Sequence, residues 1–185
     1  MRLYGPSLQD QIVLTLIAEK PRHGFAVSKE LQQDPSLSEI ITIRRPLVYR
    51  SINTLSAAGM IRECKIEPGD QGSDRTVYSV TAAGKRLTNE WLNSTVELPR
   101  DARLELLAKF ALRNRRGLSN RSLAKRQSKK FLALARSLSA ATTQTSPEVQ
   151  IVALWRIETV NAMIRLLQTV SGERETGDHT SPDPK

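Results

Sequence analysis

Tyr49, Arg50, Asn53 and Thr54 are the residues whose types and spacing offer a definite chemistry. On a helix turning about 100° per residue they point away from an apolar face made by Val48, Ile52 and Leu55. An arginine can donate two hydrogen bonds to guanine, and an asparagine can pair bidentately with adenine in the major groove. Tyr49 suits a phosphate or the helix edge better than a base. Arg44 and Arg45 precede the helix, where the positive N-terminus of a helix also attracts phosphate. Arg75 is the cation best placed at the base of a hairpin further on. Taken alone, the spacing describes a solvated helix face better than a DNA contact, and Arg44-Arg45 equally describes a solvated charge pair. Only the surrounding elements decide between the readings.

Those elements follow from periodicity and punctuation. Leu8, Ile12, Val13, Leu16 and Ile17 give an amphipathic helix over residues 8–19, with Ser7 as its cap and Asp10 three residues on. Lys20-Pro21 ends it, His23-Gly24 makes a turn, and a short helix runs from Phe25 to Gln33 until Asp34-Pro35. The helix carrying Tyr49 begins near Pro46, since proline suits a first turn, and stops at Gly59. Two strands follow, Met60 to Glu67 and Arg75 to Thr81, joined by a Gly- and Asp-rich tip. Alternation puts Tyr78 and Val80 on the buried side, and Cys64 reads as a small half-buried residue. Thr81 caps a helix to Asn93 with Leu87 and Trp91 inward. Three helices, a strand, a wing-like loop, a strand and a helix form a winged helix-turn-helix over residues 1–95. That order favours DNA contact for the outward residues of the third helix.

Residues 96–171 read as a helical dimerisation domain. One helix covers 101–115 up to Gly117. A second, capped by Ser119, carries Leu123, Phe131, Leu134 and Leu138. A third starts at Ser146-Pro147-Glu148. The last has two apolar stripes: Leu154, Ile157, Val160, Ile164 and Leu167, and Val152, Trp155, Met163, Leu166 and Val170. One stripe suffices for its own protomer, so two imply a partner chain. Residues 172–185 are polar, hold two prolines and read as a disordered tail. The fold class is therefore mostly α with a small two-stranded antiparallel sheet.

The formal net charge is +9, unevenly spread. Residues 1–93 hold 12 Lys/Arg against 10 Asp/Glu, whereas 94–185 hold 16 against 9. Ten basic residues and no acid lie between Lys109 and Arg136. Such a chain is drawn to polyanions, though this block also reads as the exposed face of dimerisation helices. No apolar run approaches the roughly 20 residues of a membrane span, and no signal peptide is evident. One cysteine excludes an internal disulfide and fits a reducing cytoplasm. No Ser/His/acid set, glycine-rich phosphate loop or spaced acid pair points to an enzyme. His23 in a turn and His179 in the tail, with Cys64, make no metal site, and no cofactor is expected. Trp91 and Trp155 read first as packing residues and second as lining for a small-molecule effector.

The stretch LTLIAEKPRHG from Leu14 to Gly24, then Phe25 and Leu31, resembles the opening of PadR-family transcriptional regulators. So do Leu47-Val48-Tyr49-Arg50-Ser51-Ile52, Leu55, Gly59-Met60-Ile61, and the run from Val77 to Gly84. In order, these cover residues 8–93. The C-terminal half is similar, in length and helical pattern, to the branch with a virulence-activator-type dimerisation region. The resemblance implies a homodimer on an inverted-repeat operator in double-stranded DNA, often a repressor, sometimes released by a small molecule. Two features depart from the family pattern. Asp70 and Asp74 stand at a wing tip that is basic in many relatives, and Arg44-Arg45-Pro46 replaces a small polar lead-in. The acidic wing keeps a second reading open, a winged-helix module for protein or RNA without operator specificity.

Overall fold

The first helix starts on a reciprocal cap. Ser7 Oγ accepts from the Asp10 amide at 3.2 Å, and the Asp10 carboxylate accepts from the Ser7 amide at 3.0 Å. In the computed structural model, which describes residues 5–68, 74–142 and 147–173, this is α1, Leu8–Glu19. Every residue from Gln11 to Ile17 is buried, so α1 is the central helix of its unit rather than a one-faced one.

After α1 the sheet gains a strand that the turn reading missed. Pro21 forces Lys20 into an extended conformation, and the chain continues extended as β1, Arg22–His23. Arg22 pairs with Tyr78 and His23 with Val77, antiparallel. The sheet therefore has three strands in the order β1-β3-β2, not two. His23 then caps α2, Gly24–Gln33, its Nδ1 accepting from the Ala26 amide at 3.1 Å. Asp34 ends α2 and at once caps a further turn, α3, Pro35–Ser38, which buries Leu37.

Helix α4, Arg45–Ala57, begins one residue before Pro46 and buries Val48, Ser51, Ile52 and Leu55. Gly59 ends it at φ 69°, a left-handed conformation that glycine adopts without strain, and the Met60 amide closes back onto Leu55 O at 2.9 Å. Strands β2, Ile61–Glu67, and β3, Arg75–Val80, form the hairpin. Glu63 pairs with Tyr78 and Lys65 with Val77, so Cys64 is the extra residue of a bulge and is exposed rather than half-buried. Tyr78 and Val80 pack on the core as alternation expects. Val77, on the other face, is nevertheless the most buried residue of β3, because β1 makes β3 the central strand.

Thr81 Oγ1 caps α5, Ala82–Asn93, by accepting from the Gly84 amide at 3.1 Å. A one-turn helix α6, Pro99–Asp101, runs through a π-turn at Ala102–Leu106 into α7, Leu107–Arg115. The predicted 101–115 helix is thus interrupted. Compactness divides the chain after Leu118, and α7 packs on α1, α3 and α5 within the first unit.

In the second unit α8, Arg121–Thr142, and α9, Pro147–Ser171, form an antiparallel hairpin tied at its open end by Lys125 and Glu173 at 3.5 Å. Leu123 and Phe131 of α8 and Val160, Ile164 and Leu167 of α9 are buried. Ser119 Oγ accepts from the Arg121 amide at 3.3 Å, near the expected cap. The expected Ser146 cap, the wing tip at 69–73 with Asp70, and the tail from 174 with His179 lie outside the described residues. No helix among the described residues is long and apolar enough to cross a membrane.

Candidate nucleic-acid interface

Helix α4 is anchored by Val48, Ile52 and Leu55, all essentially inaccessible. The opposite face carries Tyr49, at 45 % exposure, with Arg50 and Asn53 also exposed. Thr54 is half-buried and its hydroxyl donates to Arg50 O at 2.9 Å. That proton is committed to the helix backbone, which leaves the Thr54 methyl as its apolar contact. Tyr49 lies against Gly24 at the start of α2, where a Cβ would stand 2.7 Å from the Tyr49 ring. Glycine at 24 is what lets α2 approach α4 so closely.

Arg44 and Arg45 are exposed at the N-terminus of α4. The Arg45 guanidinium lies over the Phe25 ring, 4.7 Å from its centroid, and that of Arg75 lies over the same ring at 5.4 Å. His23 stacks near-parallel to Phe25, at 8° and 6.2 Å between centroids. The structure therefore gathers Arg45 and Arg75, 30 positions apart, around two residues that sequence reasoning did not assign to the site. A signal was present for Phe25. The buried face of α2 is Gly24, Val27, Ser28 and Leu31, which leaves Phe25 as an aromatic off that stripe. Glu67 stands opposite Arg75 in the ladder and pairs with Lys65 at 2.6 Å. The hydrogen bond from Lys65 holds the Glu67 carboxyl below the usual carboxylate range, and His23 and Arg75 add to that effect.

Part of the basic block expected on an outer face is turned inward. Lys109 is fully buried. Its Nζ donates to Ser94 O and Ser94 Oγ at 3.0 Å each and pairs with Glu105 at 2.7 Å. Burial pushes its pKa down, against the opposing pull of Glu105. Trp91 completes this network. Its Nε1 donates to the same Glu105, and the Lys109 ammonium sits 5.3 Å from its ring centroid. Trp91 is therefore a packing residue. Arg113 is also buried and donates to Leu92 O and Asn93 Oδ1. A cleft of about 620 Å³ along α2 is lined by charges of both signs, including Lys20, Arg22, Lys29, Glu30 and Asp34.

On α9 the expected dimer stripe divides. Val160, Ile164 and Leu167 are buried, and Ile157 is half-buried. Leu154 and Trp155 remain 59 % and 72 % exposed, beside equally exposed Ile151 and Val152.

A three-helix core with a β-hairpin wing and an exposed third-helix face defines the winged-helix class of DNA-binding domains. Residues 13–90 match the Transcriptional regulator PadR-like family. Among solved structures, the chain is similar to Bacillus subtilis PadR in complex with operator DNA, at 16 % identity and a TM-score of 0.47. That match covers 90 % of this chain and 99 % of the other. It is similar also to the Vibrio cholerae virulence activator AphA, at 22 % identity and a TM-score of 0.40, covering 90 % and 97 %. No curated protein matches the sequence.

Proposed function

We propose that the chain is a dimeric, sequence-specific DNA-binding repressor of transcription that reads the major groove with α4. The observation that carries this reading is the exposed face Tyr49, Arg50 and Asn53 on a helix whose other face is locked into the core. Arg50 and Asn53 have the donor geometry for guanine and adenine edges, and the Thr54 methyl suits a thymine methyl. Tyr49, Arg44, Arg45 and Arg75 hold the phosphate backbone and fix the register. The exposed apolar end of α9, with Leu154 and Trp155, supports pairing with a second copy.

The test is selection of duplexes from a random pool with the full chain. A two-fold-symmetric motif is expected, with half-sites about one helical turn, roughly 10 base pairs, apart. A lone asymmetric motif would contradict the dimer. Binding without any enriched motif would contradict base reading and leave a general polyanion binder.

A further inference from the structure

We propose that one face of α8 is a second DNA-binding surface, a stripe of four cations that takes the backbone phosphates of a duplex without reading bases. It goes beyond the reading of α4 and rests on that reading only for its choice of DNA among phosphate polymers. Helix α8 carries six Lys/Arg and no acid along its 22 residues. At about 100° per residue, Arg121, Lys125, Lys129 and Arg136 fall within a sector of about 80°. At about 1.5 Å per residue they run for about 22 Å along the helix. All four are exposed. The buried residues Leu123, Ala124, Gln127 and Phe131 lie outside that sector. Lys109 and Arg113, the inward members of the same basic block, are matched by Glu105, Ser94 and Asn93. The stripe lacks such matching. Among the described residues Arg121, Lys129 and Arg136 make no ion pair, and Lys125 has Glu173 at 3.5 Å.

The arrangement works against the helix that bears it. Arg121 with Lys125, and Lys125 with Lys129, are like charges at i, i+4, which repel across one turn. The first turn of α8 has no acid and its last turn no base, so the cations begin at the positive end of the helix dipole instead of gathering at the negative one. Residues 119–173 hold eight Lys/Arg against three Glu, too few to neutralise the stripe from within. A duplex supplies the missing charge at about one phosphate per 1.7 Å of its axis, and each phosphate neutralised releases counterions. A lipid surface fits less well. A helix lying in one turns its apolar face toward the acyl chains, whereas the apolar face of α8 is packed on α9.

The experiment measures binding of the full chain to a duplex of arbitrary sequence across a salt series, and to vesicles of phosphatidylserine and phosphatidylcholine. The variant combines Arg121→Gln, Lys129→Gln and Arg136→Gln, which removes three cations and keeps good helix formers. The slope of log affinity against log salt should fall by about two to three, at about 0.9 per phosphate contact, and affinity at low salt should drop about tenfold or more. Melting temperature should hold or rise, since repulsion along α8 is relieved, and the motif selected from a random pool should be that of the wild type. Arg121→Lys with Arg136→Lys keeps the charge and should bind as wild type. Lys20→Gln, Lys85→Gln and Arg103→Gln together remove the same charge elsewhere and should leave the slope unchanged. An unchanged slope in the stripe variant, or an equal fall in that control, would overturn the proposal. So would a loss confined to the vesicles, which would assign the stripe to a lipid surface. Absence of any selected motif with the wild type would overturn the reading of α4, while the slope on the arbitrary duplex still decides the stripe.

Discussion

A Cβ at Gly24 would stand 2.7 Å from the Tyr49 ring and 3.1 Å from Ile52 Cδ1. Gly24→Ala therefore sets two effects against each other. Relieving the entropy of a helical glycine stabilises by about 0.5–1 kcal/mol, whereas overpacking between two helices costs about 1–3 kcal/mol. Ile52 is locked in the core, so the clash should win. The variant should melt lower and bind its duplex more weakly, although residue 24 need not reach DNA. Thermal melts beside a duplex titration check both effects, and a higher melting temperature with intact binding would refute this packing argument. At this scale the sequence was legible where chemistry follows helical period. Val48, Ile52 and Leu55 inside imply Tyr49, Arg50 and Asn53 outside. Gly24, His23 and Phe25 were not legible, because their partners Tyr49, Arg45 and Arg75 are distant in sequence and meet them only in the folded sheet and helix pair.

Between elements, one arginine ties α7 to the first three helices. Arg115 pairs with Glu19 at 2.8 Å, with Glu30 at 2.6 Å and with Asp34, and Arg22 bonds the same Glu19 and Glu30. Hydrogen bonding to Glu19 leads the causes that raise the Arg115 pKa, which keeps the guanidinium charged at any working pH. Burial pushes the Glu30 carboxyl up, but the bonds from Arg115 and Arg22 outweigh it and hold it below 4.5. For Asp34 burial also raises the pKa, and bonds from Ser36 and then Arg115 bring it below 3.8. A carboxyl depressed on folding stabilises fully above its unfolded pKa and loses that contribution as pH falls through the folded value. Wild-type stability should therefore fall on acidification from about pH 4.5 downward. Arg115→Ala should be less stable near neutrality and show a shallower acid dependence in denaturant melts over a pH series. Parallel curves for the two proteins would contradict this role. The cluster was not legible in the sequence, since Arg115 and Glu19 lie 96 residues apart. Its basic neighbours in the sequence point instead to an exposed face for Arg115. Strand β1 was hidden for a similar reason: Arg22–His23 is extended only because β3 is there to pair with it.

Over the whole molecule, charge and apolar surface make different statements. A formal charge of +9 favours polyanions in general, steeply dependent on salt, and so cannot testify to specificity. The two stripes of α9 were legible as a surplus of apolar surface. Which residues α8 would cover was not, and the answer cuts across the predicted stripe between Leu154 and Val160. In the proposed function, the face of α4 is what separates a regulator from a basic protein, so the deciding measurement must hold salt fixed. The measurement is affinity of wild type and Arg50→Ala for the selected duplex and for each single base-pair change in it. The account predicts that Arg50→Ala loses about 1–3 kcal/mol on the selected duplex. It should become indifferent to the base pair Arg50 reads while keeping the other preferences and the folded state. An Arg50→Ala protein with wild-type affinity and an unaltered base profile at the same salt would contradict the account at its centre.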